Sequence, residues 1–234
     1  MKTSVRQFLL LVFCLFAGSA SWAQTSIGLR AGSNFANFAV QDDENYPFRP
    51  KPGLSFAVLF NLPMSATTSI QLEPGFSQRG TRIRMKSEEM VNNQTVKIDV
   101  KGNLSVNYIE LPILFQYRPK LGKLEGLFSI GPEVRLLMGN LKTKSTSKLY
   151  IDNELIASES RDETYSFGED SRKFDFGMVG GAGLAYPLGA LKIFAEGRYH
   201  FGLRNLATSV DGDNTKVYNR GASAHIGVLV PVGK

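Results

Sequence analysis

The feature that most constrains this chain is the uneven spacing between its stretches of alternating polarity. Eight such stretches lie at about 26–38, 53–62, 67–85, 108–118, 125–139, 173–186, 191–204 and 219–232. The connectors between them run long, short, long, short, long, short, long. The short ones are built around Pro63, Pro119–Gly122 and Pro187–Gly189, and the long ones fall near 39–51, 86–97, 140–172 and 205–218. Antiparallel strands with tight turns on one rim and long loops on the other are the pattern of a barrel inserted into an outer membrane from the periplasmic side. The expected fold is therefore all-β: an eight-stranded antiparallel up-and-down transmembrane β-barrel with short periplasmic turns, long extracellular loops and both termini periplasmic.

The first residues belong to a different task. Lys2 and Arg6 form a positive n-region, Phe8–Ala17 an apolar h-region, and Ser21-Trp22-Ala23 a small-x-small cleavage site. This reads as a secretory signal over 1–23, with cleavage between Ala23 and Gln24, leaving 24–234 as one barrel domain. The apolar run is too short to cross a bilayer as a helix. Cleavage removes Cys14 and Trp22, the sole cysteine and the sole tryptophan. The mature chain then has no thiol nucleophile, no disulfide and no cysteine metal ligand. Its formal charge falls from +6 to +4 as Lys2 and Arg6 leave. A mild positive excess suits outer-membrane lipid and anionic lipopolysaccharide. No nucleic-acid partner is expected.

Parity assigns the two faces of each strand. In 191–204, Leu191, Ile193, Ala195, Gly197, Tyr199, Phe201 and Leu203 share one face, against Lys192, Phe194, Glu196, Arg198, His200 and Arg204. Such strict period-two segregation means two different solvents. The apolar face is expected to meet lipid, with Phe60, Tyr117 and Tyr186 near the short-turn rim and Phe35, Phe174 and Tyr199 near the long-loop rim as aromatic girdles. The opposite face then places Arg30, Glu73, Glu110, Arg118, Glu133, Arg135, Asp175, Glu196, Arg198, His200 and His225 in the lumen. An eight-stranded barrel is wide enough only for side chains to fill it. Buried charges must be paired, so these groups are expected to form a carboxylate–guanidinium plug. A sharper reading makes them a gate, with Arg–Glu partners exchanging to open a narrow ion path.

Catalysis and cofactors find little support. His200 and His225 are the only histidines, and a regular hairpin through 205–218 would set His225 opposite Arg198 and His200 opposite Ser223. A metal or a base could use such a pair, but satisfied lumen histidines are the plainer reading. Asp211-Gly-Asp-Asn214 could begin a calcium loop, yet lacks the distal Glu. No catalytic, metal or cofactor site is assigned. The glycines at 177, 180, 181 and 183 relieve crowding rather than cradle phosphate, because no Lys-Ser/Thr follows them.

Several segments also resemble a known family. Tyr108-Ile-Glu-Leu-Pro-Ile-Leu-Phe-Gln-Tyr-Arg118 is similar to the Tyr-hydrophobic-Glu-hydrophobic-Pro signature of PorT-like outer-membrane barrels. Gly28-Leu-Arg-Ala-Gly-Ser-Asn-Phe35 resembles their opening; Phe174-Asp-Phe-Gly177, Gly181-Ala-Gly183, Glu196-Gly-Arg-Tyr199 and Gly202-Leu-Arg-Asn205 resemble their second half. The resemblance implies an eight-stranded barrel in a Gram-negative outer membrane. It also allows an accessory part in protein secretion. The ending Val230-Pro-Val-Gly-Lys234 departs from the terminal aromatic usual in such barrels.

The loops carry the remaining information. Leu149-Tyr-Ile-Asp-Asn-Glu-Leu-Ile156 resembles a hairpin turning at Asp152-Asn153, and 81–107 another turning at Asn92-Asn93. Tall hairpins could bind an envelope or secretion protein, a glycan or another protein's edge strand, against a solvated, phage- or immune-exposed surface with no dedicated ligand. The expected role is structural or interactive; the competing roles are a small porin-like channel, for which Pro112 and Pro132 mark candidate wall defects, and a soluble lipocalin-type barrel.

Overall fold

A computed structural model describes residues 24–40, 48–166, 173–205 and 217–232. The expected signal segment and the Asp211–Asn214 loop lie outside the described residues. Among the described residues the chain is all-β, with eleven strands in one sheet. In chain order these are β1 (Ser26–Val40), β2 (Phe48–Pro63), β3 (Thr68–Leu72), β4 (Gly75–Val91), β5 (Gln94–Tyr117) and β6 (Lys120–Leu121), then β7 (Leu124–Ile151), β8 (Glu154–Tyr165), β9 (Phe174–Leu188), β10 (Leu191–Gly202) and β11 (Val217–Pro231).

Antiparallel pairing runs from β1 through β2, β3 with β4, β5, β7, β9, β10 and β11, and returns to β1. The return ladder pairs Ser26 with Pro231 and Val40 with Val217, so it spans the whole of β1. β3 and β4 make a single wall segment. Leu72 faces Ile113 and Gly75 faces Glu110, which is one unbroken register on β5. The interruption falls at Glu73-Pro74, because proline has no N–H to give a ladder. Hydrogen bonds nevertheless continue through it: Val58 N donates to the Pro74 carbonyl (3.0 Å), and Glu73 N to the Pro112 carbonyl (3.1 Å).

The wall is inverted relative to a water-soluble protein. Leu29, Leu54, Ile130 and Ile226 are 59–69% exposed, whereas Arg30, Arg79 and Arg135 are at most 2% exposed. From Ile193 to Gly202, β10 alternates exposed and buried at every residue. Water would penalise an outer face of this kind by about 25 cal/mol per Å² of apolar area, while lipid removes the penalty. A small apolar cluster does sit inside: Ala57, Leu59, Leu127, Ala185, Phe194 and Leu229 pack together, and Leu59, Leu127 and Leu229 also lie close to the short-turn end of the wall.

Two of the expected long loops are continuous strand. β4 and β5 pair without a gap from Gly75↔Glu110 to Val91↔Gln94, so the strand expected to begin at 108 begins at 94. Within the 140–172 connector, residues 141–165 form a second ribbon in which β7 pairs β8 from Leu141↔Tyr165 to Ile151↔Glu154. The ribbons turn on two-residue loops, Asn92-Asn93 (φ 49° and 63°) and Asp152-Asn153 (φ 51° and 69°). Positive φ at both central residues is the hairpin turn whose twist suits antiparallel strands, and Asn and Asp tolerate it. Asn153→Val is expected to cost the ribbon about 1–2 kcal/mol in that left-handed conformation. Faster tryptic cleavage at Lys144 and Lys148 would register the loss, with Asn153→Gly remaining resistant.

Candidate functional site

The wall strands carry their inward side chains into one connected polar network. Nearest the short turns, Asn61 Nδ2 donates to Ser69 Oγ (2.9 Å), Gln71 Oε1 (2.9 Å) and Gln116 Oε1 (3.1 Å). Arg118 closes this layer, donating to Gln71 (3.3 Å) and Gln116 (2.5 Å). Outside it a shallow cavity of about 260 Å³ opens at the rim, with Asn61, Ser69, Arg118, Glu125, Lys192 and Leu229 among its lining residues.

Glu73 is the junction of the next layer. Its carboxylate accepts from Gln71 Nε2 (2.6 Å), Arg30 Nε (2.6 Å) and both terminal nitrogens of Arg198 (2.6 and 2.7 Å). Arg198 also donates to Glu196, from Nε (2.9 Å) and Nη2 (2.7 Å), and Ser129 donates a further bond to Glu196. Arg30 donates to Ser55 (2.9 Å) and Glu110 (3.2 Å). Glu73 itself lies beside the break at Pro74 in the wall. Gly181 leaves the room: a Cβ there would come within 2.7 Å of both Arg198 Cγ and Glu196 Oε1.

A third layer is centred on Arg79, which donates to Glu110 (3.1 Å) and Ser77 (3.1 Å) and lies 3.8 Å from Glu133. His200 Nδ1 is 2.9 Å from Glu133, and its Nε2 is 2.8 Å from Ser223 Oγ. Beyond it, Arg135 bridges Glu133 and Asp175 at 3.0 Å each.

Ser223, His200 and Glu133 stand in the order hydroxyl, imidazole, carboxylate that activates a serine nucleophile. All three are at most 3% exposed, and Arg79 crowds the same imidazole nitrogen at 3.3 Å. A substrate cannot reach the hydroxyl, so the relay here serves to satisfy buried polar groups.

The structure therefore gathers Arg30, Glu73, Glu110, Glu133, Arg135, Asp175, Glu196, Arg198 and His200 into one buried network, with Arg118 half-buried at its edge. His225 is also buried, but neither ring nitrogen has a hydrogen-bond partner among the described residues. The histidine pairing differs from the regular hairpin by two residues: Glu196 faces His225, Arg198 faces Ser223 and His200 faces Gly221. In this β10–β11 register His200 meets Ser223 diagonally. Sequence reasoning missed Arg79. The parity that placed Glu73 inward extends through Ser77 to Arg79, and that signal could have found it.

The proposed wall defects take a specific form. Pro132 lies within the β7–β9 ladder opposite Met178, and Pro112 within the β5–β7 ladder opposite Glu133. That second ladder pauses after Pro112↔Glu133 and resumes in the same register at Phe115↔Ile130.

Four buried guanidiniums face five buried carboxylates in this plug. Each charge lost its hydration on burial, and its partners must replace that hydration. Glu73→Ala leaves Arg30 and Arg198 without their common acceptor and is expected to lower unfolding free energy by about 3–5 kcal/mol. Urea unfolding of the detergent-folded protein measures this. Gly181→Leu is expected to block folding, seen as loss of the heat-modifiable band on gels.

A sequence family described as outer membrane protein beta-barrel domain matches residues 22–208. No curated protein sequence matches the chain. Among solved structures, Neisserial surface protein A is 9% identical over 90% of this chain and 98% of its own, with a TM-score of 0.41. The attachment invasion locus protein Ail of Yersinia pestis, solved with the heparin analogue sucrose octasulfate, is 14% identical over 90% and 100%, at 0.33. CarO of Acinetobacter baumannii is 13% identical over 87% and 97%, at 0.32.

Proposed function

The chain belongs to the outer membrane protein beta-barrel domain family, and from that premise we propose that it is a sealed eight-stranded up-and-down barrel serving a structural and interactive role at the cell surface. It is a Gram-negative outer-membrane protein, and its short turns and termini face the periplasm in this reading, with the β4–β5 and β7–β8 ribbons outside. The mature barrel begins at Gln24.

The observation that carries the reading is the plug. Arg30, Glu73, Glu110, Glu133, Arg135, Glu196 and Arg198 are each at most 3% exposed. Leu59, Leu127 and Leu229 add an apolar layer across the same interior. A lumen filled in this way offers solute no path, so the surfaces left for function are the lipid-facing wall and the two ribbons. Their exposed strands offer backbone and side chains to a partner at the envelope. The resemblance to PorT-like barrels makes an accessory part in protein secretion the specific form of this proposal. Fold alone does not carry it.

A second reading, a small porin-like channel, draws on two observations. Arg30, Arg79 and Arg198 each contact two carboxylates, so partner exchange needs little motion. The pause in the β5–β7 ladder also lies beside Glu133. Recordings in planar bilayers separate the readings. The sealed barrel is expected to show no conductance steps; sustained conductance that Glu110→Gln alters without a matching loss of stability establishes the channel instead. On the partner side, replacing 143–163 by a short Gly-Ser turn is expected to keep the barrel folded and abolish co-purification of an envelope protein.

A further inference from the structure

The outward face of the wall changes character on one side of the barrel. Along β4 the even-numbered positions run Phe76, Gln78, Gly80, Arg82, Arg84; along β5 the odd ones run Ile109, Asn107, Ser105, Asn103, Lys101. Both series begin on the lipid-facing side and continue along it, since alternate residues of a strand share a face. β7 does the same from Met138 to Lys142 and Lys144.

Register brings these cations together. Arg49 faces Arg82, Arg82 faces Asn103, and Asn103 faces Lys144, one row across β2, β4, β5 and β7. Lys101 faces Arg84, and Lys142 faces Ser105, in the flanking rows. With strands about 4.8 Å apart, the row is roughly 15 Å wide. Lys51 joins it: its ammonium donates to Ser105 on β5, and Gly80 of the intervening strand, opposite Ser105, presents no side chain.

Little of this charge is neutralised within the protein. Asp162 pairs with Lys144 (2.6 Å) and Asp99 with Arg84 (3.6 Å). Arg49, Arg82, Lys101 and Lys142 are exposed and form no ion pair among the described residues. Burial, then repulsion from Arg82 and Lys144, lowers the pKa of Lys51 below the usual lysine range. On β10 and β11 the comparable arginine is absorbed: Arg220 lies over the Phe201 ring at 4.2 Å.

We propose that this one-sided patch of Arg49, Lys51, Arg82, Lys101, Lys142 and Lys144 binds the phosphate groups of lipopolysaccharide in the outer leaflet. The occupant follows from position. The cations continue the face that contacts lipid, beyond a short uncharged polar stretch (Gln78, Asn107, Ser105) that follows its apolar residues, on the headgroup side of the apolar band. A partner protein would meet the ribbon tips first. Phosphate is the anion that layer supplies, and arginine matches its geometry. The proposal rests on the outer-membrane placement, which recovery of the protein in the outer-membrane fraction tests separately.

The probe is bisphosphorylated lipid A, added to the full mature protein folded in neutral detergent and followed by native mass spectrometry. Wild type is expected to retain lipid A adducts, and Arg82→Glu with Lys144→Glu to lose them at least ten-fold. Heat-modifiable migration verifies folding, and the milder Arg82→Gln with Lys144→Gln gives an intermediate loss. Lys120→Glu with Lys123→Glu, at the other rim, is expected to bind as wild type does. Equal retention by the Arg82/Lys144 variants overturns the site. Equal retention of dephosphorylated lipid A assigns binding to acyl chains and overturns phosphate recognition; equal retention of phosphatidylglycerol overturns selectivity for lipopolysaccharide.

Discussion

Hydrocarbon offers no hydrogen bonds, so every wall strand must find partners on both sides. The ladder between β1 and β11 meets that requirement by joining the first strand to the last. Everything else is arranged around the closure. It leaves one outer face that is apolar and one interior occupied by buried side chains. It also makes the break at Pro74 tolerable, since the neighbouring strands hold both β3 and β4 in one register.

The interior is a different problem from a soluble core. Polar side chains fill most of it, and Glu73 joins two arginines that come from opposite parts of the chain, 43 residues before it and 125 after it. Such contacts are worth little net against a well-packed apolar alternative, but breaking any one is costly because it strands a charge. In the proposed sealed barrel, such a network holds the lumen in one packing. The same sharing of carboxylates is what a gate would require.

Beyond the lipid-facing band the outer face changes partner. Lipid contact along Phe76 and Ile109 gives way to cations on the same strands, while the ribbons carry the chain further out. One continuous sheet thus presents two outer surfaces of different chemistry, the wall and the ribbons.

Period-two alternation made much of this legible without coordinates. Strand faces, the outward aromatics at Phe60, Tyr117 and Tyr199, the two turns at Asn92-Asn93 and Asp152-Asn153, and the inward set of charges are all local patterns, because a strand's side chains alternate whatever its neighbours are. Ribbon length was not legible, since the alternation continues past the membrane with its polarity changed. Arg79 was legible by the same parity as Glu73, but it lay in a stretch read for its apolar residues. Which carboxylate meets which guanidinium, the two-residue shift that places His225 opposite Glu196, and the gathering of Arg49, Arg82 and Lys144 into one row were decided by the tertiary structure alone. Register between strands far apart in sequence depends on how the whole ring closes, and no local window contains that information.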